Sequence, residues 1–302
     1  PYATLAKAAE AAPDGATIYV MSDVEMNQMA WVWEKELTIT SYGVDPVTLS
    51  RGENFHTNAD PARQHYNPAM IEVGGETEQG TVSSLILTHI ILDDMGKYEG
   101  EYFVQADSEG DGETTVSRSE VPNTSIVQDA IIATYNGMGT ITLGDGAELR
   151  NYGGMSAVRL SGGELIMEEG SAILDTTENE REKGASGSFG PAGAVWLQGG
   201  ILTMNGGTIG GDKGVMMNGR ALYADGGTAN IGGTIQNIHG TDAAWQGQNG
   251  VAVHLRSHGE ATLASTGEIT NVTGTNAGNN CAIWTQFCNF TTKAGSKISH
   301  VD

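Results

Sequence analysis

Four short apolar strokes in the second half of the chain carry a ring at the same place. AVWLQGG (194–200) has Trp196, ALYADGG (221–227) has Tyr223, AVHLRSH (252–258) has His254 and AIWTQF (282–287) has Trp284. Two residues further on stand Gln198, Asp225, Arg256 and Gln286, and a fifth stroke, AVRLSGG (157–163), puts Arg159 and Ser161 in the two places. Alternate side chains of an extended strand share a face, so Trp196 and Gln198 lie together while Val195 and Leu197 point the other way. Rings beside planar polar groups suit a sugar chain, giving flat surfaces for pyranose C–H faces and amide, carboxylate and guanidinium groups for hydroxyls. The candidate ligand-binding set is Arg159, Trp196, Gln198, Tyr223, Asp225, His254, Arg256, Trp284 and Gln286. Rings packed beneath their own loops and a protein interface are the competing uses.

Catalysis on this face would fall to Asp225. A glycosidase needs two carboxyl groups roughly 5–10 Å apart across the scissile bond; the partner would come from a loop, with Asp175, Asp212, Asp242 and Glu260 as candidates. A lyase would need a base beside a uronate and cations for its carboxylate, parts that His254 and Arg256 could play. The segment DSEGDGE (107–113) alternates Asp107, Glu109 and Asp111 before Gly112, which reads as an acidic mobile loop first and as a local calcium clip second, the one metal candidate. Glu109 and Arg118 depart from the EF-hand pattern. No HExxH or CxxC occurs, which argues against zinc. No cofactor is required, and calcium is the one the residues leave open.

These side chains need a scaffold that repeats. A second stroke follows the first in TITLGDG, ELIMEEG, ILTMNGG, TANIGG and ATLASTG, and a third, xIxN-like stroke follows in AILD, TIQN, EITN and KISH. Each is three to five residues long, alternates in polarity and ends in Gly, Asn or Asp, which is strand and turn chemistry. Three strands per 24–37 residues, repeated in one direction, predict a parallel β-helix. Fainter units precede them: TIYVMSD, LTITSYG and PVTLS are read as one coil, MIEVGG, SSLILTH and IILDD as another, and AIIATYNG opens a third. The first-strand rank then continues backward through Ile132 to Glu72, and the next through Thr134 to Gly74. Leu5, Ala8, Ala9 and Ala12 have helical spacing before Pro13-Asp14-Gly15, so residues 1–15 are expected to cap the stack and 16–302 to form coils of a single domain that continues past the last residue. Long segments follow the third strokes, along one flank, as binding loops of solenoids do. MNQMAWVWEKE (26–36) places Trp31 and Trp33 between two strands of the first coil, where packing under the cap is favoured over a sticky edge.

Units such as GAVWLQGGILTMNGGTI (193–209), behind the opening YATLAKAAEAAPDGATIYV (2–20), resemble the right-handed, pectin-lyase-like β-helices of large surface proteins of Gram-positive gut bacteria. The resemblance implies about eight three-strand coils, an extracellular, cell-surface location and a place within a larger protein. The wider group holds polysaccharide lyases, glycosidases and adhesins, so a fold of this kind carries no particular reaction.

Charge and composition narrow the partners. A net charge of −22 excludes the basic footprint of a nucleic-acid binder and disfavours adsorption to anionic lipid. No stretch approaches the ~18 apolar residues of a membrane span. The 43 glycines against 7 prolines, without a Gly-X-Y period, are turn punctuation. Cys281 and Cys288 permit one disulfide or two free thiols. The expectation is a glycan- or host-surface-binding module; a glycan-cleaving enzyme on the same face and a structural stalk are the alternatives.

Overall fold

The computed structural model describes residues 1–56, 69–74, 83–95, 101–105, 113–117, 130–152, 156–175, 193–212, 215–240, 251–274 and 281–302. They are mostly strand, with one helix, Leu5–Ala11. Nearly all the strands pair in parallel with a strand one repeat away. The exception is the antiparallel pair Glu101–Gln105 and Glu113–Ser117.

Pairing follows three paths. One runs through Ala30–Val32, Ala69–Gly74, Ala130–Leu143, Ser156–Met167, Val195–Gln198, Leu222–Asp225, Val251–Arg256 and Cys281–Thr285. A second runs through Ala16–Val20, Glu36–Ser41, Ser83–Thr88, the second halves of the two long strands, Ile201–Met204, Thr228–Ile231, Glu260–Leu263 and Asn289–Thr292. Ala130–Leu143 and Ser156–Met167 join these two paths into one 15-stranded sheet. The third stroke forms a separate 10-stranded sheet from Val24–Gln28 to Lys297–Val301.

The apolar residues of each stroke stack in register. Leu37, Leu85, Ile141, Leu165, Leu202, Ala229 and Ala261 form one buried column of the second path. Leu49, Leu92, Leu149, Ile173, Ile209, Ile235 and Ile269 form its counterpart in the 10-stranded sheet. These columns belong to one continuous hydrophobic cluster. Each fully buried Leu or Ile contributes roughly 1.5–3 kcal/mol relative to exposure, so a stroke too short to hold a helix is fixed by its neighbours above and below.

The corners explain the punctuation. Gly163 (φ +75°) and Gly227 (φ +85°) turn the first stroke into the second in a conformation disfavoured for residues with a Cβ. A Cβ on either would also lie 2.3 Å from a carbonyl oxygen of the preceding repeat, that of Gly139 or Gly200 respectively. The asparagines that end the third strokes are left-handed as well: Asn151, Asn237 and Asn271 have φ of 52°, 54° and 53°, a region that Asn tolerates better than other L-residues. Asn271 donates from Nδ2 to Asn237 Oδ1 at 2.6 Å, and Asn237 Nδ2 donates to the Gly211 carbonyl at 3.3 Å, so the turn file is cross-linked between repeats.

At the opposite end the helix buries Leu5, Ala8 and Ala9 and packs against Ala30–Val32. Thr4 caps its start, accepting from the Lys7 N–H. Lys35 caps its end: the ammonium donates to the carbonyls of Ala9, Glu10 and Ala12 at 3.0, 3.2 and 2.9 Å, a favourable place for a cation beside unpaired C-terminal carbonyls.

The first units are organised differently from the sequence expectation. Ala16–Val20, containing TIYV, pairs residue for residue with Glu36–Ser41, containing LTIT, so the two are successive members of the second path and not consecutive sides of one coil. The first-path member at this end is Ala30–Val32, inside MNQMAWVWEKE. In the next unit Ala133, not Ile132, pairs with both Glu72 and Arg159, while Ile132 pairs with Ile71 and Val158. Likewise Tyr135, not Thr134, pairs with Gly74, and Thr134 pairs with Val73 and Leu160. The cause is physical: Ala130 to Ala133 are buried on both faces, so polarity in AIIA does not mark which side is which.

Candidate functional site

The register of the first path sets the chemistry-bearing residues in one file. Trp31 pairs with Glu72, Glu72 with Ala133, Ala133 with Arg159, Arg159 with Trp196, Trp196 with Tyr223, Tyr223 with His254, and His254 with Trp284. Their strand neighbours Val158, Val195, Leu222 and Val253 are fully buried in the apolar columns on the other face. Trp31 is the member that sequence reasoning left out of the file; the period-two pair Trp31 and Trp33, whose rings sit 6.4 Å apart, was the available signal.

The rings touch along the file. Centroids of Trp196 and Tyr223 are 6.3 Å apart, those of Tyr223 and His254 5.1 Å, and those of His254 and Trp284 4.2 Å, the last two edge to face. Guanidinium groups lie on two of them, Arg159 at 4.8 Å from the Trp196 ring and Arg220 at 5.2 Å from the Tyr223 ring. Such contacts contribute about 0.5–2 kcal/mol, more where water is excluded. Arg159 also donates from Nε and Nη2 to Gln198 Oε1 at 2.9 and 2.7 Å.

The middle of the file is covered. His254 is 1% exposed, Arg159 5%, Arg220 6% and Trp196 8%, while Tyr223 and Trp284 are half-buried. Loss of hydration pulls both arginines down to about 10. Burial lowers His254 to about 3, with repulsion from Arg220 and Arg256 adding to it, so the imidazole is neutral at pH 7. Trp196 Nε1 and both His254 ring nitrogens are buried without a hydrogen-bond partner among the described residues.

Access belongs to the parallel rank two residues along. Ser161 pairs with Gln198 and Asp225 with Arg256; Gln286 follows the strand Cys281–Thr285, and its N–H donates to the Leu255 carbonyl at 3.0 Å. Ser161, Gln198, Asp225 and Arg256 are half-exposed and Gln286 is exposed. Arg256 Nη1 donates to the Tyr223 hydroxyl at 3.2 Å, and Asp225 accepts from the Ser257 hydroxyl. The result is a polar strip with repeat spacing of about 4.8 Å, backed by the edges of Tyr223 and Trp284.

Of the proposed carboxylate partners for Asp225, Glu260 lies past the Gly259 corner on the second path and accepts from Asn289 at 3.2 Å. Asp212 is exposed beyond the strand Thr208–Gly211. The side chain of Asp175 and all of Asp242 lie outside the described residues, as do Asp107, Glu109 and Asp111. Among the described residues no group of three or more His, Cys, Asp or Glu could hold a metal ion. Cys281 and Cys288 are free thiols, set apart by the extended strand Cys281–Thr285 and the corner at Phe287. That strand alone spans about 13 Å, beyond the ~7 Å that a disulfide bridges. A cavity of about 530 Å³ lies beside the cap helix, lined by Tyr2, Leu5, Ile18, Tyr19 and Leu49 among others, and is separate from the ring file. Among the described residues no helix is long and apolar enough to cross a membrane. No known protein family, curated protein or solved structure matches the chain.

Proposed function

We propose that the three pairing paths are the faces of a right-handed parallel β-helix, and that the chain is an extracellular glycan-binding module of a bacterial surface protein. The observation that carries the reading is the polar strip in which Ser161 pairs with Gln198 and Asp225 with Arg256, with Gln286 just past the next strand and the half-buried rings of Tyr223 and Trp284 beside it. Hydroxyl, amide, carboxylate and guanidinium groups at strand spacing offer a sugar chain successive hydrogen bonds, and the ring edges offer apolar backing.

The covered rings have a different part. Trp196 and His254 stiffen the wall on which the strip stands, and a ligand meets Tyr223 and Trp284 first. A host-surface glycoprotein presents the same chemistry as a free glycan. The net charge of −22 fits a partner held by local contacts rather than by long-range attraction to polyanions.

Glycan-array binding by the whole chain tests this. Trp284→Ala and Gln198→Ala should each weaken the retained glycans about tenfold, the equivalent of 1.4 kcal/mol. Unchanged binding in both variants would remove the strip from the account. Release of reducing ends that Asp225→Asn abolishes would instead establish a glycan-cleaving enzyme on the same face.

A further inference from the structure

Each residue of the polar strip is followed by a corner residue with a left-handed backbone. Gly162 follows Ser161, Gly199 follows Gln198, Gly226 follows Asp225, Ser257 follows Arg256 and Phe287 follows Gln286, with φ of 75°, 78°, 82°, 51° and 57°. The three glycines adopt this conformation without penalty. Ser257 and Phe287 adopt it at a cost in backbone strain, and a positive φ is rarest for a bulky side chain such as phenylalanine.

Ser257 offsets part of that strain, because its hydroxyl donates to the Asp225 carboxylate. Phe287 has no such return among the described residues. It is 85% exposed and lies outside the hydrophobic cluster, whereas Phe290, three residues on, packs against that cluster. The exposure follows from the corner itself. A Cβ added at Gly199 meets nothing within 4 Å, and one at Gly226 meets nothing closer than 3.7 Å, although both corners lie between repeats stacked on either side. Strain and exposure on one aromatic side chain, next to a row of polar groups, point to a ring placed for contact rather than for folding.

We propose that Phe287 is the stacking platform of the glycan site: its exposed ring takes the C–H face of a pyranose whose hydroxyls bond the neighbouring end of the strip, Gln286 and Arg256. The proposal rests on the glycan-binding reading above and adds to it a residue outside the strip and the way the sugar lies. Gln286 precedes Phe287 in the chain and is held beside the Arg256 strand by its bond to the Leu255 carbonyl. Further along the corner Gly162, Gly199 and Gly226 present no side chain, so the ring stands at one end of a level path beside Ser161, Gln198 and Asp225. A flat, uncharged ring favours the apolar face of a sugar over an ionic group.

The test takes the whole chain through two measurements side by side, binding to a printed array of mucin-type and plant cell-wall glycans, and urea unfolding. Phe287→Gly should weaken the retained glycans about tenfold while leaving the urea midpoint unchanged or raising it, since glycine removes the strain together with the ring. Phe287→Asn, which tolerates the same backbone, should lose binding to the same extent, and Phe287→Trp should keep it to within about threefold. In the parent, saturating the phenylalanine ring protons should transfer magnetisation to the C–H protons of a retained glycan, and Phe287→Gly should abolish the transfer. Parent-like binding by Phe287→Gly and Phe287→Asn overturns the proposal, as does a urea midpoint lowered in both, which would make the ring part of the packing. Binding weakened in Gln198→Ala but unchanged in Phe287→Gly would leave the glycan reading standing and refute the platform. A parent that retains no glycan would refute the reading and the platform with it.

Discussion

Trp196 sits where a strand position opposite the core would be expected to meet solvent, yet it is 8% exposed, with Arg159 on its face and Tyr223 beside it. Its larger part is therefore in packing. Trp196→Ala should cost about 3 kcal/mol in urea unfolding, within the range for large-to-small changes of buried aromatics. Strand parity revealed which face the ring is on; whether that face is covered depends on segments whose course strand periodicity does not encode. His254 makes a sharper prediction. Its folded value near 3 lies below the ordinary 6.5, so the unfolded chain takes up the proton first as pH falls. The stability associated with the neutral ring is complete above about pH 6.5 and is lost progressively down to about pH 3, at up to about 1.4 kcal/mol per pH unit. His254→Phe keeps a ring in the stack and should flatten the stability profile between pH 7 and 5 relative to the parent. A parallel decline in the two proteins would show that His254 does not titrate in this way.

Among the elements, the repeat was legible because each stroke ends in a residue its corner requires. The third-stroke asparagines are the clearest case. Asn271 is left-handed and bonded to Asn237, so Asn271→Ala loses a hydrogen bond and adds backbone strain, about 2 kcal/mol together. Asn271→Gly keeps the conformation and should cost only about 1 kcal/mol; equal costs in chemical denaturation would mean that the turn conformation is not what the asparagine supplies. The cap helix was equally readable from Leu5, Ala8 and Ala9, but its lock was not, because Lys35 is 26 residues from Ala9 and nothing local marks the contact. Lys35→Met should accelerate amide exchange throughout Leu5–Ala11 and lower stability by about 1–2 kcal/mol. Exchange confined to its parental rate would leave the helix held by its apolar face alone. The opening strands were misassigned for a related reason: TIYV and LTIT have the same pattern because they occupy the same column, and similarity between strokes does not say how many strokes separate one repeat from the next.

At the scale of the molecule, parallel register extends from Ala16–Val20 and Val24–Gln28 to Asn289–Thr292 and Lys297–Val301, and one apolar cluster runs through it. That regularity turns a local motif into a surface: residues about 30 positions apart in sequence, such as Ser161 and Gln198 or Asp225 and Arg256, become neighbours in one strip. The candidate site was legible as a set of residues because the register is faithful from Arg159 onward. The division of labour within it was not, since burial separates the inner rings from the strip and burial is a property of the assembled fold. Glycan-array binding of the parent compared with Trp284→Ala and Gln198→Ala is the most direct test of the central claim. The account predicts a discrete set of retained glycans whose binding weakens about tenfold in each variant; a parent that retains no glycan, or variants that bind as the parent does, would contradict it.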